Sequence, residues 1–514
     1  MIILKFTSHD KYRLFLLFCY SNRGIEHSTL KNKEHTVSKK TFGMIRCGGM
    51  GVNISCPRLA KALAMLGQYG TVSGVALERV LVAILQRGDP DGNIRRALAT
   101  FPFQAIVKEV MEKYFVDGGV KKGRFKNAPS FTINPSGLLI ALVVCANYSF
   151  VWLAKEGHDH PITINYLEKI AMPHPFAVLG AMLANVDFIT MGAGMALLIP
   201  EMIVDILEGR PAHYEVLVLG SKSNSHTVLF DFESFFGAKL PTMKKPGFIP
   251  VVSSYVAANA FVRLSSRLPK GSISGFGVEE NTAAGHNAPP RRPVFDAGGN
   301  MLPVYGEKDV IDYARIASLG LPFWIGGNYA SPKKLAEALA LGAQGVQVGS
   351  IFALCEESGM DQRMRRRLRA LGFFGKLKTN QDMQVSPTGY PFMVAMLEGT
   401  VAETKVFENR ERICDHGVLC TPYQKSDGTI GYRCPSGPID HYVAQGGIRE
   451  DTEGRKCLCN GLLTTAGMNN EGEPAIVTLG NVDFLRHLMT GPESSYTAEN
   501  AVRWLLSEQN PTPP

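Results

Sequence analysis

Eight short apolar runs recur between residues 44 and 349, and stretches with helical periodicity separate them. The runs occupy 44–47, 71–74, 162–167, 186–192, 248–254, 271–279, 321–327 and 345–349, and most of them end in Gly, Ser or Asn. Strands that alternate with helices favour parallel pairing, because a parallel crossover needs an intervening segment. Eight such units predict an α/β fold of the TIM (β/α)8 barrel class, with a site on the loops that follow the strands.

Two long gaps interrupt the regular spacing of the runs. Residues 80–160 separate the second and third strands, and residues 193–247 separate the fourth and fifth. Both gaps predict insertions, the first of them helical and placed as a lid or an interface. The alternation stops after about residue 375, where the run SPTGYP punctuates the chain. We therefore expect a barrel over 43–375 and a cysteine-containing extension over 376–514, packed on the barrel.

The net charge of +8 is concentrated at the N-terminus. Residues 1–40 hold eight Lys and Arg against three Asp and Glu, which leaves only about +3 for the rest of the chain. This distribution is not typical of a nucleic-acid-binding surface. We expect residues 1–42 to form a basic, poorly ordered extension.

The longest apolar run near the N-terminus, 14–20, is too short to span a bilayer and is not followed by a cleavage site. We therefore expect no membrane association. Without a secretory signal, the ten cysteines are predicted to be mostly reduced thiols in a cytoplasmic protein.

Two glycine-containing turns follow the seventh and eighth predicted strands. The first holds Gly326 and Gly327, and the second holds Gln347, Gly349 and Ser350. In TIM barrels, backbone N–H groups in the turns after these two strands often hold a phosphate. Either turn alone could simply be tight, but two neighbouring turns favour a phosphate site.

A further glycine cluster follows the first strand and contains Gly49, Met50 and Gly51. It lacks the G-x-x-x-x-G-K-[ST] pattern of a phosphate loop. Residues with little side chain let a backbone pack closely along a flat ligand. A flavin mononucleotide (FMN) would use both features, with its ring over strands one to three and its phosphate at turns seven and eight.

The loop after the sixth strand reads TAAGHNAPP over 282–290. Ala284 and Gly285 remove bulk in front of His286, and a double proline fixes where the loop leaves. Histidine exchanges protons near neutral pH, so His286 is the candidate catalytic residue. The alternative is a hydrogen-bonded histidine with a structural role only.

Several of these motifs together resemble one known family, the nitronate monooxygenases, formerly called 2-nitropropane dioxygenases. The motifs are GGMG at 48–51, VSG at 72–74, INYLEKI at 164–170, VEENTAAGHNAPP at 278–290, GG at 326–327 and GVQVGS at 345–350. The resemblance covers roughly 43–375. It extends to FMN-dependent enoyl reductases, including the trans-acting reductases of polyunsaturated-fatty-acid and polyketide synthases. The cysteine-containing tail over 414–460 is similar to the longer branch that holds those reductases.

The resemblance implies a TIM barrel with non-covalent FMN and with His286 beside the flavin. It adds Asn165, at the end of the third strand, as a partner of the ring edge. The cofactor-binding set is then Gly49, Met50, Gly51, Asn165, Ala284, Gly285, Gly326, Gly327, Gln347, Gly349 and Ser350. The sequence departs from the family pattern at Glu280-Asn281 and at Ala284. These changes are expected to add a negative charge and a methyl group beside the site.

The implied reaction is the oxidation of an alkyl nitronate by dioxygen through FMN, which gives a carbonyl compound and nitrite. The first alternative is an enoyl-thioester reductase that uses NAD(P)H and acts with a synthase or acyl-carrier partner. The second is a flavin-binding subunit without turnover. A small-molecule substrate is expected in the first two cases, and self-association into a homo-oligomer is left open.

Two groups of residues raise the question of a metal. His158 and His160 form an H-x-H pair, but no third ligand follows at a suitable spacing. The tail cysteines Cys414, Cys420, Cys434, Cys457 and Cys459 also lack the spacing of a zinc knuckle. We predict no metal site, and structural zinc at these cysteines is the weaker alternative.

Overall fold

The computed structural model describes residues 43–121, 125–223, 225–269, 272–470 and 472–507. The expected basic extension over 1–42, together with its apolar run at 14–20, lies outside the described residues.

The eight predicted strands form one parallel barrel. They are β1 (Ile45–Cys47), β2 (Gly70–Ser73), β3 (Ile162–Leu167), β4 (Phe188–Gly192), β5 (Gly247–Val252), β6 (Phe276–Glu279), β7 (Phe323–Gly326) and β8 (Gly345–Val348). The hydrogen-bonded order is β1-β8-β7-β6-β5-β4-β3-β2. A parallel bridge between Arg46 and Tyr69 brings β1 beside the start of β2 and closes the ring. The predicted TIM barrel is confirmed.

Strand β6 is shorter than predicted. It begins at Phe276 rather than at residue 271. Gly275, directly before it, has a φ of +155°. An L side chain rarely adopts this conformation, which departs from the ordinary extended backbone of a strand. A side chain at this position would also meet the carbonyl oxygen of Pro322 at 2.6 Å.

Helices connect the strands around the outside of the barrel. They are Pro57–Met65 after β1, His174–Leu183 after β3, Ile199–Leu207 after β4, Tyr255–Ser265 after β5, Tyr313–Ala317 after β6, Pro332–Ala340 after β7, and Ser350–Ala353 with Gln362–Phe373 after β8. Several start where the sequence supplies a cap: the side chains of Ser254, Ser331 and Asp361 accept hydrogen bonds from first-turn N–H groups. A short 3-10 helix, Glu307–Asp309, and the strand pair Val294–Phe295 and Met301–Leu302 lie in the loop after β6.

The segment between β2 and β3 consists of four helices, Leu77–Gln86, Asn93–Ala99, Gln104–Tyr114 and Gly137–Lys155. By length and composition, Gly137–Lys155 is the one helix of the described chain that could cross a membrane, with a mean hydropathy of 2.0. In the fold, 72% of its apolar window is buried. It packs on His174–Leu183 and Leu77–Gln86, so its surroundings are those of a core helix.

The segment between β4 and β5 holds an antiparallel hairpin after helix Ile199–Leu207. Its strands are Ala212–Leu217 and Ser225–Phe230, and a short helix, Phe232–Phe236, follows them. The hairpin packs against helix His174–Leu183 on the outside of the barrel.

The chain after residue 376 folds onto the barrel mouth. Its elements are the strands Lys378–Asp382, Phe392–Met396, Thr421–Gln424 and Ile430–Arg433 and the helices Thr404–Asn409, Ile439–Ala444, Arg449–Thr452 (3-10), Leu458–Thr465, Leu485–Leu488 and Ala498–Leu505. Phe392–Met396 pairs on one side with Lys378–Asp382 and on the other with Gly285–His286. The loop after β6 therefore becomes an edge of a three-stranded sheet built by the extension.

The N-terminal end of the barrel is filled by aromatic side chains. Tyr69 packs edge-on against both Phe188 and Trp324, with ring centroids 5.6 Å apart in each pair. The guanidinium of Arg46 lies 5.1 Å from the Trp324 ring centroid and donates a 2.7 Å hydrogen bond to Thr190. This packing closes the barrel floor, so ligand access is from the opposite end.

Candidate active site

A cavity of about 220 Å³ lies at the C-terminal ends of the strands. One water needs roughly 10–15 Å³ of such volume, so the space is sized for a ligand. All the residues predicted to form the site line it: His286, Gly49, Met50, Gly51, Asn165, Ala284, Gly285, Gly326, Gly327, Gln347, Gly349 and Ser350. The structure thus brings together loops that lie up to 300 residues apart in sequence.

The loop after β1 is held in shape by Ser55. Its hydroxyl donates to the carbonyl oxygen of Gly48 at 2.8 Å and accepts from the N–H of Met50 at 2.9 Å. Between them, Gly49 packs directly on Asn165: a Cβ added to Gly49 would lie 2.2 Å from the Asn165 amide nitrogen. Only glycine fits here, and the contact positions the Asn165 side chain in the cavity wall.

The polar side chains that line the cavity without a hydrogen-bond partner among the described residues include Asn165, Gln347 and Glu279. Buried amides and carboxyls are normally paired, so these groups are available to a ligand. Burial raises the pKa of Glu279 to about 8, so its carboxyl is mainly protonated at neutral pH. The prediction missed Glu279, although its position as the last residue of β6 was a usable signal.

His286 lies in the cavity wall on the short strand that pairs with the extension. Its Nε2 is 2.7 Å from the hydroxyl of Ser386, and its ring packs edge-on against Phe392 at 4.9 Å. Gly285, just before it, has a φ of +79°, and its N–H donates a 2.7 Å hydrogen bond to Thr478. These contacts fix both the backbone and the ring of His286.

Burial lowers the pKa of His286 to about 4, and the positive charge of Lys169 adds to the effect. The imidazole is therefore neutral at physiological pH. Lys169 itself is paired with Glu168 at 2.9 Å and lies 4.7 Å from the ring centroid of Tyr390. Burial works to lower the pKa of Lys169, but Glu168 and Tyr390 raise it overall, so its charge is retained.

Ser386 is the most important residue that the sequence interpretation missed. It belongs to the SPTGYP run, which the sequence pattern indicates only as the boundary between the barrel and the extension. Its side chain is fully buried, and its carbonyl oxygen accepts a 2.7 Å hydrogen bond from Arg455. No local signal links a serine at 386 with a histidine at 286, because the contact depends on the pairing of two distant strands.

Glu280 lies one residue beyond the end of β6 and does not itself line the cavity. Its carboxylate accepts hydrogen bonds from the hydroxyls of Tyr313 at 2.6 Å and Tyr329 at 3.0 Å. Tyr329 is one of the residues that line the cavity, so the carboxyl group of Glu280 lies directly behind the cavity wall and joins the loops after β6 and β7.

The methyl group of Ala284 does line the cavity, as expected. However, Ala284 is absent from the described residues with positive φ, so the methyl group requires no strained backbone. The conformational freedom of glycine is needed one residue later, at Gly285.

The extension forms an apolar roof over the cavity. The contributing side chains are Phe392, Val418, Leu419, Leu458, Leu462 and Leu479. The barrel supplies the glycine-rich turns and the unpartnered amides, together with apolar side chains such as Val75, Ile170 and Val251.

Neither of the residue groups considered for a metal forms a ligand set. Within the described ranges, no three His, Cys, Asp or Glu side chains are placed to hold a metal ion. His158 Nε2 lies 2.7 Å from the carbonyl oxygen of Ala154. Cys414 and Cys420 are free thiols with their sulfurs 3.9 Å apart.

A closed (β/α)8 barrel with titratable groups in a cavity at its C-terminal end is the arrangement of a TIM-barrel enzyme site. No family model and no curated protein matches the chain.

Among solved structures, the chain is similar to FabK from Thermotoga maritima, with 14% identity, a TM-score of 0.46, and coverage of 91% of this chain and 93% of that one. It is also similar to nitroalkane oxidase from Streptomyces ansochromogenes (11% identity, TM-score 0.40, 91% and 96% covered). A third similar structure is the enoyl reductase domain of MlnA from Bacillus amyloliquefaciens, with 10% identity, a TM-score of 0.45, and coverage of 91% of this chain and 94% of that one.

Proposed function

We propose that the protein is an FMN-dependent oxidoreductase of the nitronate monooxygenase type, which oxidises alkyl nitronates with dioxygen. The observation that carries the proposal is the convergence of the predicted loops, with His286, around one ligand-sized cavity. Bound FMN would supply the electron acceptor for the substrate and would be reoxidised by dioxygen.

The residues in the cavity fit a flavin. A flavin ring has hydrogen-bonding edges and an apolar face, and the unpartnered amides of Asn165 and Gln347 can both donate and accept. Gly327, with a φ of +114°, keeps side-chain bulk away from turn seven. The N–H groups of the turns after β7 and β8 would hold the phosphate. The Ser350 hydroxyl already accepts a 2.8 Å hydrogen bond from Gly480, so it can donate its proton to an anion.

The charges around the cavity suit an anionic substrate. A nitronate is already deprotonated, so it requires a hydrogen-bond donor for its oxygens rather than a base. His286 and Glu279 are both uncharged near neutral pH, and neither repels an anion. The retained positive charge of Lys169 favours the approach of an anion.

A direct test is to purify the protein and titrate it with FMN, following flavin fluorescence. We expect stoichiometric binding, and then anaerobic bleaching of the bound flavin by a propyl nitronate. Failure to take up FMN would refute every flavin-based function for this chain. Bleaching by NADPH with no response to nitronate would refute the nitronate assignment alone.

The apolar roof supports a second candidate, an enoyl-thioester reductase that uses NAD(P)H. Phe392, Leu419 and Leu458 could cover an acyl chain, which a small nitronate does not require. The thioester would be presented by an acyl-carrier or synthase partner. Rapid anaerobic bleaching by NADPH followed by reoxidation with a crotonyl thioester is the expected result for this candidate. If neither NADPH nor nitronate bleaches the bound flavin, the remaining alternative is a flavin-binding subunit without turnover.

A further inference from the structure

We propose that Ser386, backed by Thr388, is a positioning residue that fixes His286 in the tautomer with its proton on Nδ1. His286 then faces the cavity as a neutral hydrogen-bond donor. The meaning of this inference for catalysis rests on the proposed function. The tautomer itself, however, can be measured without any turnover.

The hydrogen-bond inventory around Ser386 selects this tautomer. The Ser386 hydroxyl is 2.7 Å from His286 Nε2 and 2.7 Å from the hydroxyl of Thr388, and it also accepts from the Thr388 N–H at 3.2 Å. A serine hydroxyl has one proton and two lone pairs. If Thr388 donates both its N–H and its O–H to Ser386, then Ser386 must donate to Nε2. Every group in the chain is then satisfied.

The opposite direction is less favourable. If His286 donated from Nε2 to Ser386, the serine would donate to Thr388, and the Thr388 hydroxyl proton would have no acceptor among the residues that the structure describes. Thr388 is half-buried, so that proton would be left to solvent, whereas the first arrangement gives both hydroxyl protons a protein acceptor. The geometry therefore favours the direction from Thr388 to Ser386 to His286 Nε2, which puts the imidazole proton on Nδ1.

The hydrogen-bonded chain of Thr388, Ser386 and His286 is held in place by other parts of the extension. Ser386 is fully buried, and Arg455 binds the carbonyl oxygens of both Gln384 and Ser386, at 2.5 and 2.7 Å. On the other side, Phe392 pairs with His286 in the backbone register and packs against its ring. The imidazole can neither rotate freely nor exchange its Nε2 partner for bulk water.

Within the described chain, the ring nitrogen Nδ1 has no protein partner, and the ring lines the cavity. A neutral N–H at this position can donate to a nitronate oxygen or to a thioester carbonyl oxygen. It cannot act as a base there, because Nδ1 has no free lone pair in this tautomer. Of the two roles that the family resemblance allows for His286, base or hydrogen-bonding partner, the geometry points to the second.

The experiment is ¹⁵N NMR of the full-length protein with FMN added and with histidine side chains labelled, using His286→Asn to assign the signal. We expect the wild-type imidazole to show a protonated Nδ1 and an unprotonated Nε2. Ser386→Ala should lose this fixed pattern, whereas Thr388→Val should keep it, because Ser386 still donates to Nε2. An Nε2–H signal in the wild-type protein would overturn the inference, even if Ser386→Ala failed to fold.

Kinetics separate this inference from the proposed function. If the function holds, Ser386→Ala should lower kcat about tenfold, the usual effect of one hydrogen bond, with little change in KM. If neither nitronate nor NADPH reacts in any variant while the NMR pattern follows Ser386, the proposed function fails and the positioning role stands. Unchanged kcat together with an altered tautomer would show that the tautomer does not matter for catalysis.

Discussion

The barrel and the C-terminal extension contribute to one cavity in different ways. The barrel supplies loops whose glycines and amides follow directly from strand ends, as at Gly49 and Asn165. The extension supplies buried hydroxyls and an apolar roof, and its contacts reach across roughly a hundred residues or more, as from Ser386 to His286. Under the proposed function, the barrel would hold the cofactor, whereas the extension would orient His286 and limit the size of the substrate.

The sharpest test of the barrel side is His286→Ala. We expect FMN binding to be retained and turnover to fall by ~10²–10³-fold, the range for loss of one preorganised hydrogen-bond donor. Steady-state oxygen uptake and flavin absorbance measure the two quantities. His441→Ala, at an exposed histidine of the extension, is the matched control and should be neutral. Wild-type turnover in His286→Ala would remove the histidine from the reaction.

The close contact between Gly49 and Asn165 gives the next largest effect. Gly49→Ala would place a methyl group 2.2 Å from the Asn165 amide, so Asn165 or the loop must move. Overpacking of this kind costs about 1–3 kcal/mol, and if this cost falls on the bound state, FMN affinity drops by about five- to 150-fold. Gly48→Ala is the control in the same loop, because its nearest neighbour would be 3.6 Å away. Equal FMN dissociation constants for the two variants would contradict the proposed role of the Gly49–Asn165 contact.

On the extension side, Thr478→Val removes the acceptor of the Gly285 N–H without changing the side-chain shape. An unsatisfied backbone donor costs about 1–3 kcal/mol, so we expect a lower free energy of unfolding by that amount. Denaturant titration measures it, and Thr429→Val in an exposed hairpin turn is the control. An unfolding free energy equal to wild type would mean that the Gly285 backbone does not depend on the extension.

The fold and the barrel residues of the site were predictable from local sequence, whereas the residues that the extension adds to the site were not. Strand ends and glycine turns are determined by residues close together in the sequence. Strands β1 to β8 and residues such as Gly327 and Gln347 could therefore be found from short patterns. Ser386, Thr478 and the apolar roof depend on which distant strand pairs with Gly285–His286, and no short pattern encodes that pairing. Glu279 could have been placed at the cavity from its position as the last residue of β6, but the interpretation considered only the charge of the next residue, Glu280.

Glu279 offers a test of pH dependence, in stability between about pH 4.5 and 8 and in activity near pH 8. Its folded-state pKa of about 8 lies above the ordinary value of 4.5, so the folded protein binds the carboxyl proton of Glu279 more tightly than the unfolded chain does. This contribution to stability is complete below about pH 4.5 and is lost as the pH rises towards 8. Glu279→Gln should flatten that decline in the free energy of unfolding and should abolish any fall in kcat/KM near pH 8. An alkaline limb that persists unchanged in Glu279→Gln would assign it to another group.

The smallest effect is expected at Glu280, one of the positions where the sequence departs from the family pattern that it resembles. Glu280→Gln removes the charge but keeps an oxygen that can accept from Tyr313 and Tyr329. Because Glu280 does not itself line the cavity and its partners are kept, we expect kcat and FMN affinity within about twofold of wild type. Glu280→Gly should instead lower stability, because two tyrosine hydroxyls lose their acceptor. A gain of more than tenfold in kcat for Glu280→Gln would show that the charge acts on the site from behind the cavity wall.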